Sequence, residues 1–355
     1  MDICGIINKT SNHYTKKGLV MKAVKLISKI FLFLVGGVIA LLLVAWLGLH
    51  VAKYFMYSDY YKNRENVSNI PALNDGFVPQ GLDYDEQTDT YIHSGYNGDD
   101  HGYTEIYFVN GKDVKRLLPV TESGERIKGH AGGVTRVGDY LYVSDNAKEK
   151  EGKYGILYIY DFSTLQQAKD GDSIQSIGTF KLDTAGSFCF SDDQYIYVGE
   201  FYRPVDYETK ESHYYTTPSG DENKAILSAY AVNADGSIAG EYPEFSISIP
   251  AQVQGFARTA DGKIAVSTSW GLTNSHLELH SEMKDSGKTI GVSGKEVPLY
   301  YIDSSTRTAD ISMPAFSEGL SIKDGKIVIS FESACNKYII GKLFFATKIV
   351  SYPMA

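Results

Sequence analysis

The chain has 355 residues, 43% of them hydrophobic, with 43 acidic side chains against 34 lysines and arginines and a net charge of −9. Three cysteines exclude a disulfide framework. Seven lysines and one aspartate put +6 on residues 1–53, so residues 54–355 carry −15, a balance that repels phosphate backbones and argues against nucleic acid as a partner.

Residues 1–29 read as a basic N-terminus, with Lys9, Lys16, Lys17, Lys22, Lys25 and Lys29; a second start, Met-Lys-Ala-Val-Lys, opens at Met21. Residues 30–52 read as a transmembrane helix. Ile30 to Val51 is apolar throughout apart from His50, and at about 1.5 Å per residue it reaches about 33 Å, enough for a hydrocarbon core of roughly 30 Å. The lysines before it mark the cytoplasmic side, so the sequence predicts a single-pass protein of the cell membrane with its C-terminal bulk outside. A cleaved signal peptide is the rival reading, against which stand the length of the apolar run and the lack of a small-residue cleavage site before Lys53. Residues 53–66, with Tyr54, Phe55, Tyr57, Tyr60 and Tyr61, form a juxtamembrane tether suited to lipid headgroups.

Residues 67–355 repeat one phrase five times: a half-apolar run, a tight turn, and a second strand ending in polar residues. The copies open at Pro79-Gln80-Gly81-Leu82, Gly129-His130-Ala131-Gly132-Gly133, Ala185-Gly186-Ser187-Phe188, Val253-Gln254-Gly255-Phe256 and Ser317-Glu318-Gly319-Leu320. The turns carry acidic residues, with Asp-Gly at Asp261-Gly262 and Asp324-Gly325, a strong hairpin signal because such turns need positive φ. Third strands are predicted at 106–109, 156–160, 227–232, 299–302 and 347–350, and fourth strands at 114–120, 177–182, 245–249 and 309–313. The fifth unit lacks a fourth strand, and residues 67–73 are free to supply it. Repeat starts lie about 50–70 residues apart, the range of propeller blades. The fold class is therefore all-β: a five-bladed β-propeller closed by an N-terminal strand and preceded by one transmembrane helix.

In such a ring the first strand of each blade begins, and the second ends, at one funnel mouth. That places Gln80, His130, Ser187, Gln254 and Glu318 beside Ser94, Tyr96, Asp145, Asn146, Glu200, Ser269, Trp270 and Glu332. Two long insertions, 201–224 in blade 3 and 271–296 in blade 4, are both expected between second and third strands, on the funnel side. Asp145, Glu200, Glu318 and Glu332 crowd the mouth with carboxylates, which a divalent cation such as Ca2+, or Arg203, would neutralise. Gln80, His130, Asn146, Arg203, Gln254, Ser269 and Trp270 are the candidate ligand-binding residues. For His130 a structural role tying adjacent blades outweighs a catalytic one.

The runs Gly129–Val134, Tyr140–Asp145, Val198–Arg203 and Ser267–Gly271 resemble bacterial secreted or membrane-anchored β-propeller proteins of unassigned activity. The Gln-Gly-Leu and Glu-Gly-Leu openings are more distantly similar to gluconolactonase and strictosidine-synthase-like propellers. In the lactonase relatives Glu, Asn and Asp hold a divalent metal in the funnel, and the resemblance implies those parts for Glu318, Asn146 and Asp145.

No Gly-x-Ser-x-Gly elbow occurs, and Leu277-Glu278-Leu279-His280 lacks the metalloprotease order. His101, His213, His276 and His280 fall in predicted loops and receive no role; Cys189 and Cys335 read as small buried hydrophobes. No catalytic residue is assigned. The sequence supports a module that binds a small polar or carbohydrate ligand, with a metal-dependent lactonase or esterase as the enzymatic alternative, a glycosidase behind it, and an envelope scaffold as the third reading.

Overall fold

The tight turns set the strands. Asp324 (φ 51°) and Gly325 (φ 70°) both occupy the left-handed region, as a two-residue hairpin turn requires, and they join Ser317–Lys323 to Lys326–Phe331 with Lys323 opposite Lys326. The computed structural model describes residues 3–149, 152–344 and 346–354. The chain forms two units, Met1–Ala52 and Lys53–Ala355. A helix, Ile3–Met56, runs through the first. Within it Val20–Met56 is long and apolar enough to cross a membrane, and none of its most apolar stretch is buried.

The second unit is a ring of five antiparallel sheets. Blade 1 comprises Phe77–Asp85, Thr90–Asn97, Tyr103–Asn110 and Asp113–Val120; blade 2 comprises Gly133–Val137, Tyr140–Glu149, Gly152–Asp161 and Gly178–Leu182. Blade 3 comprises Phe188–Ser191, Tyr195–Gly199, Ala225–Ala231 and Phe245–Ile249; blade 4 comprises Val253–Arg258, Ile264–Thr268, Ser275–His280 and Arg307–Met313. Blade 5 adds Lys348–Pro353 to its opening hairpin and takes its outer strand, Glu65–Asn69, from the front of the domain, with Glu65 opposite Ser351 and Asn69 opposite Lys348. The seam closes as the sequence predicts, a few residues earlier in the chain. Each innermost strand touches those of both neighbouring blades.

The repeated glycine has a steric cause. A Cβ on Gly319 would lie 2.4 Å from the backbone nitrogen of Leu82, and one on Gly81 would lie 2.6 Å from that of Val134. Inner strands of adjacent blades therefore approach backbone to backbone, which any side chain would prevent. Between blades the sheets bury apolar faces such as Tyr142, Leu157, Cys189, Val198 and Tyr230, each large side chain worth about 1.5–3 kcal/mol. Cys189 and Cys335 are free and buried.

Blade 4 corrects two expectations. Its third strand is Ser275–His280, placing His276 and His280 on a strand, and only a short turn separates it from the second strand. The segment predicted as that strand belongs to a hairpin, Lys284–Val292 and Lys295–Tyr301, inserted between the third and fourth strands. Lys295–Tyr301 pairs in parallel with Phe245–Ile249, adding a fifth strand to blade 3, and the hairpin turn reaches blade 2, where the Ser293 N–H donates to Asp183. Ser173–Gln175, from blade 2, extends blade 1 in the same parallel fashion. The strong β propensity of 299–302 was legible, but its parallel partner in another blade was not.

Two tether tyrosines have another use. Tyr57 and Tyr60 are buried in the propeller core, Tyr57 donating its hydroxyl to Asn274 at 2.8 Å and Tyr60 lying edge-on to Phe331. Tyr54 and Phe55 remain exposed.

Candidate functional site

Because first strands start and second strands finish at one end of the ring, their terminal side chains converge there on a cavity of about 350 Å3. Gln80, His130, Ser187, Gln254 and Glu318 arrive from first strands; Tyr96, Asn146, Ser269, Trp270 and Glu332 arrive from the ends of second strands. Asp145, Glu200 and Arg203 are not in its lining.

Glu318 and Glu332 both line the cavity and lie close enough for each to act on the other's ionisation. Gln254 Nε2 donates to Glu318 Oε1 at 3.3 Å, and Gln80 Nε2 donates to Glu332 Oε2 at 2.8 Å. Both acids are buried. Burial first, and then the charge of Glu332, holds Glu318 well above the usual carboxylate range; burial pushes Glu332 up to about 7 despite the opposing influence of Lys337 and Gln80. Like charges on two neighbouring buried acids oppose each other's ionisation, which adds to the effect of burial.

Two sets of aromatic rings wall the same cavity. On one side Trp270 lies 6.0 Å from Phe201 and 5.9 Å from Tyr207, with the Arg203 guanidinium 4.0 Å above its ring. Arg203 also pairs with Asp206, so it positions Trp270 from behind the wall. On the other side Tyr96 lies 5.1 Å from His130, and Phe316 stacks on Tyr338 at 4.8 Å. Lys337 bonds to the Tyr96 hydroxyl, and Tyr338 lines the same side of the cavity.

The remaining predicted carboxylates are occupied elsewhere. Asp145 accepts backbone N–H groups from His130 (3.2 Å), Ala131 (3.2 Å) and Asn146 (2.7 Å), folding the blade 2 opening; burial still pushes it up to about 6. A Cβ on Gly129 would lie 1.8 Å from Asp145 Oδ2, which is why glycine stands there. Glu200 accepts from His213 Nδ1 at 3.0 Å and from the Ile226 N–H at 3.2 Å, pinning the 201–224 insertion to blade 3. Asn146 accepts from the Gly186 N–H at 3.1 Å, and Ser269 receives the Ser275 hydroxyl at 3.0 Å.

Among the described residues no group of three or more His, Cys, Asp or Glu side chains is placed to hold a metal ion. Hard cations collect six or more oxygens, and Glu318, Glu332 and their glutamines offer two carboxyls and two amides. The four-carboxylate set thus divides into one facing pair and two structural acids. Sequence reasoning missed Phe316, Lys337, Tyr338 and His213. Tyr338 lies in a connection with no strand pattern, and the buried pairing of His213 with Glu200 leaves no local sequence signature.

No protein-family model matches the sequence, and no curated protein matches it. Solved structures similar to it include the PQQ-bound form of aldose sugar dehydrogenase from Streptomyces coelicolor, at 14% identity and TM-score 0.37 over 75% of this chain and 76% of that one. A GH43_1 enzyme from Xanthomonas citri complexed with xylose matches at 11% identity and TM-score 0.39 over 77% and 85%. A putative oxidoreductase (glucose dehydrogenase) from Thermus thermophilus matches at 11% and 0.35 over 76% and 78%. The five-bladed architecture rests on this chain's own strand pairing.

Proposed function

We propose that this chain is a membrane-anchored propeller, its ring outside the cytoplasm, that binds a small polar, carbohydrate-like ligand in the funnel. One observation carries the reading: two neighbouring buried acids, Glu332 and Glu318, held by Gln80 and Gln254 in a cavity walled by aromatic rings. Such a pair both donates and accepts hydrogen bonds, as hydroxyl groups require, and the walls offer ring faces to C–H surfaces. The apolar span and the lysines before it support the anchoring and its direction. A divalent cation would enter only by displacing a proton from one of these two acids.

The test uses the full chain in lipid nanodiscs. The protein has two tryptophans, so in a Trp46→Phe background the fluorescence of Trp270 reports on the cavity. A neutral sugar or polyol from a panel is expected to change it saturably, and Trp270→Tyr or Glu318→Gln to weaken binding about tenfold or more. No saturable response across the panel overturns the reading.

The carboxyl pair also favours a second reading. One ionised and one protonated carboxyl can activate a water and protonate a leaving oxygen, which suits ester or lactone hydrolysis. Glycoside hydrolysis, which needs two carboxyls about 5–9.5 Å apart, stands behind it. Turnover of a lactone panel, lost in Glu332→Gln, would support this version; turnover unchanged by that substitution would remove it.

A further inference from the structure

Single exposed hydrophobic residues on a protein surface carry no message, whereas a contiguous group does. In the propeller Val67, Val114, Ile177 and Tyr242 are exposed singly, on four different blades. A second set is grouped: Val205 is 87% exposed, Leu272 51%, Ile339 80% and Ile340 60%. All four stand on connections between second and third strands, in blades 3, 4 and 5. Those connections open at the funnel mouth, and the loops bearing Val205, Leu272 and Ile339 also supply Tyr207, Trp270 and Tyr338 to the cavity. Three adjacent blades thus share an apolar arc on one rim.

The chain joins the ring at the same arc. Tyr57 is hydrogen-bonded to Asn274, two residues from Leu272 in the blade 4 turn, and Tyr60 packs on Phe331 where blade 5's second strand reaches the mouth. Phe55 and Met56, just before that bond, are exposed. From Val51, at the end of the apolar run, to Tyr57 is six residues. At about 3.5 Å per residue no extension of them exceeds about 21 Å, and as helix they span about 9 Å. A bilayer holding the span therefore lies within reach of this rim, whatever the tether does.

We propose that the apolar arc of blades 3 to 5 docks on the bilayer, with Val205, Leu272, Ile339 and Ile340 in the headgroup layer and the funnel mouth turned toward the lipid. The inference rests on the membrane-anchored reading given above. The contact is apolar in nature: residues 54–355 carry −15, which gives anionic lipid no hold on the ring. A protein partner on the same arc is the competing occupant.

Single cysteines at Ile340, at Val205 and, on the opposite face of the ring, at exposed Asp193 are introduced in a Cys4→Ser background, the remaining Cys189 and Cys335 being buried. Each variant is labelled with an environment-sensitive fluorophore and reconstituted as the full chain in neutral phosphatidylcholine vesicles carrying a headgroup nitroxide. Quenching several-fold stronger at Ile340 and Val205 than at Asp193, unchanged by added salt, is expected. Equal quenching at all three sites in protein that floats with the vesicles overturns docking while leaving anchoring intact. Protein that does not float overturns anchoring and docking together.

Discussion

Glu318, at the start of one blade 5 strand, and Glu332, just past the end of the next, both turn into the cavity, where the charge of one opposes the ionisation of the other. The hairpin puts the start of one strand beside the end of the next, and the ring turns both inward. Each acid is then held by a glutamine from an adjacent blade, Gln254 from blade 4 and Gln80 from blade 1.

This pair makes stability fall as pH rises. Its folded pKa values are raised above the unfolded value of about 4.3, so its contribution is complete below that value and is lost as pH climbs through about 7, where Glu332 titrates. Glu318→Gln removes the neighbouring charge. The variant is expected to melt at a higher temperature than the parent at pH 8, by the equivalent of about 1–3 kcal/mol, and to match it near pH 5. Scanning calorimetry of both proteins across that range checks the sign; a variant less stable at pH 8 contradicts the pairing.

His93 acts in the opposite direction. It is fully buried, neither ring nitrogen has a hydrogen-bond partner, and burial pushes its pKa down to about 3. The folded state keeps it neutral while the unfolded state protonates it below about 6.5, so stability drops as pH falls from about 6.5 toward 3. His93→Phe is expected to flatten the acid limb of the stability curve. An unchanged limb would show that His93 is not the acid-sensitive group.

Gly319→Ala should strain the seam. Its Cβ would press on the Leu82 backbone nitrogen at 2.4 Å, and overpacking of this kind costs about 1–3 kcal/mol. Gly178→Ala, with nothing within 4 Å of its Cβ, is the matched control and should be neutral or slightly stabilising. Denaturant midpoints of the two variants decide; equal midpoints would mean that the blades yield at no cost.

A chain starting at Asn74 lacks Glu65–Asn69, the outer strand of blade 5, and leaves Lys348–Pro353 as an open edge. It is expected to aggregate, whereas a chain starting at Lys53 stays monodisperse in size-exclusion chromatography. A monodisperse short form would show that closure does not depend on that strand.

The ring was legible because the blades announce themselves locally, through an apolar run and a tight turn, with positive φ in the first turns of blades 1, 2, 4 and 5. Asp324-Gly325 is a signal of that kind, and the missing fourth strand of blade 5 pointed to the front of the domain. Long-range events left no comparable mark. His-Leu-Glu-Leu-His at 276–280 alternates as a strand should, but the tyrosine-rich 299–302 outweighs it on propensity, and only tertiary pairing shows that the latter serves blade 3. Carboxylates posed the same difficulty: Asp145 and Glu318 sit at equivalent rims, and what separates them is that three backbone N–H groups reach one and another acid reaches the other.

Tyr57, Tyr60 and the closing strand all follow within 17 residues of Ala52, where the long apolar segment ends. Tension arriving through that segment would therefore be borne first by two interred rings and the Asn274 bond, and only afterwards by the ladder between Glu65–Asn69 and Lys348–Pro353. The mooring and the latch of the ring are consecutive stretches of one thread, and the aromatic pair acts as a strain relief that keeps a tug on the first from springing the second.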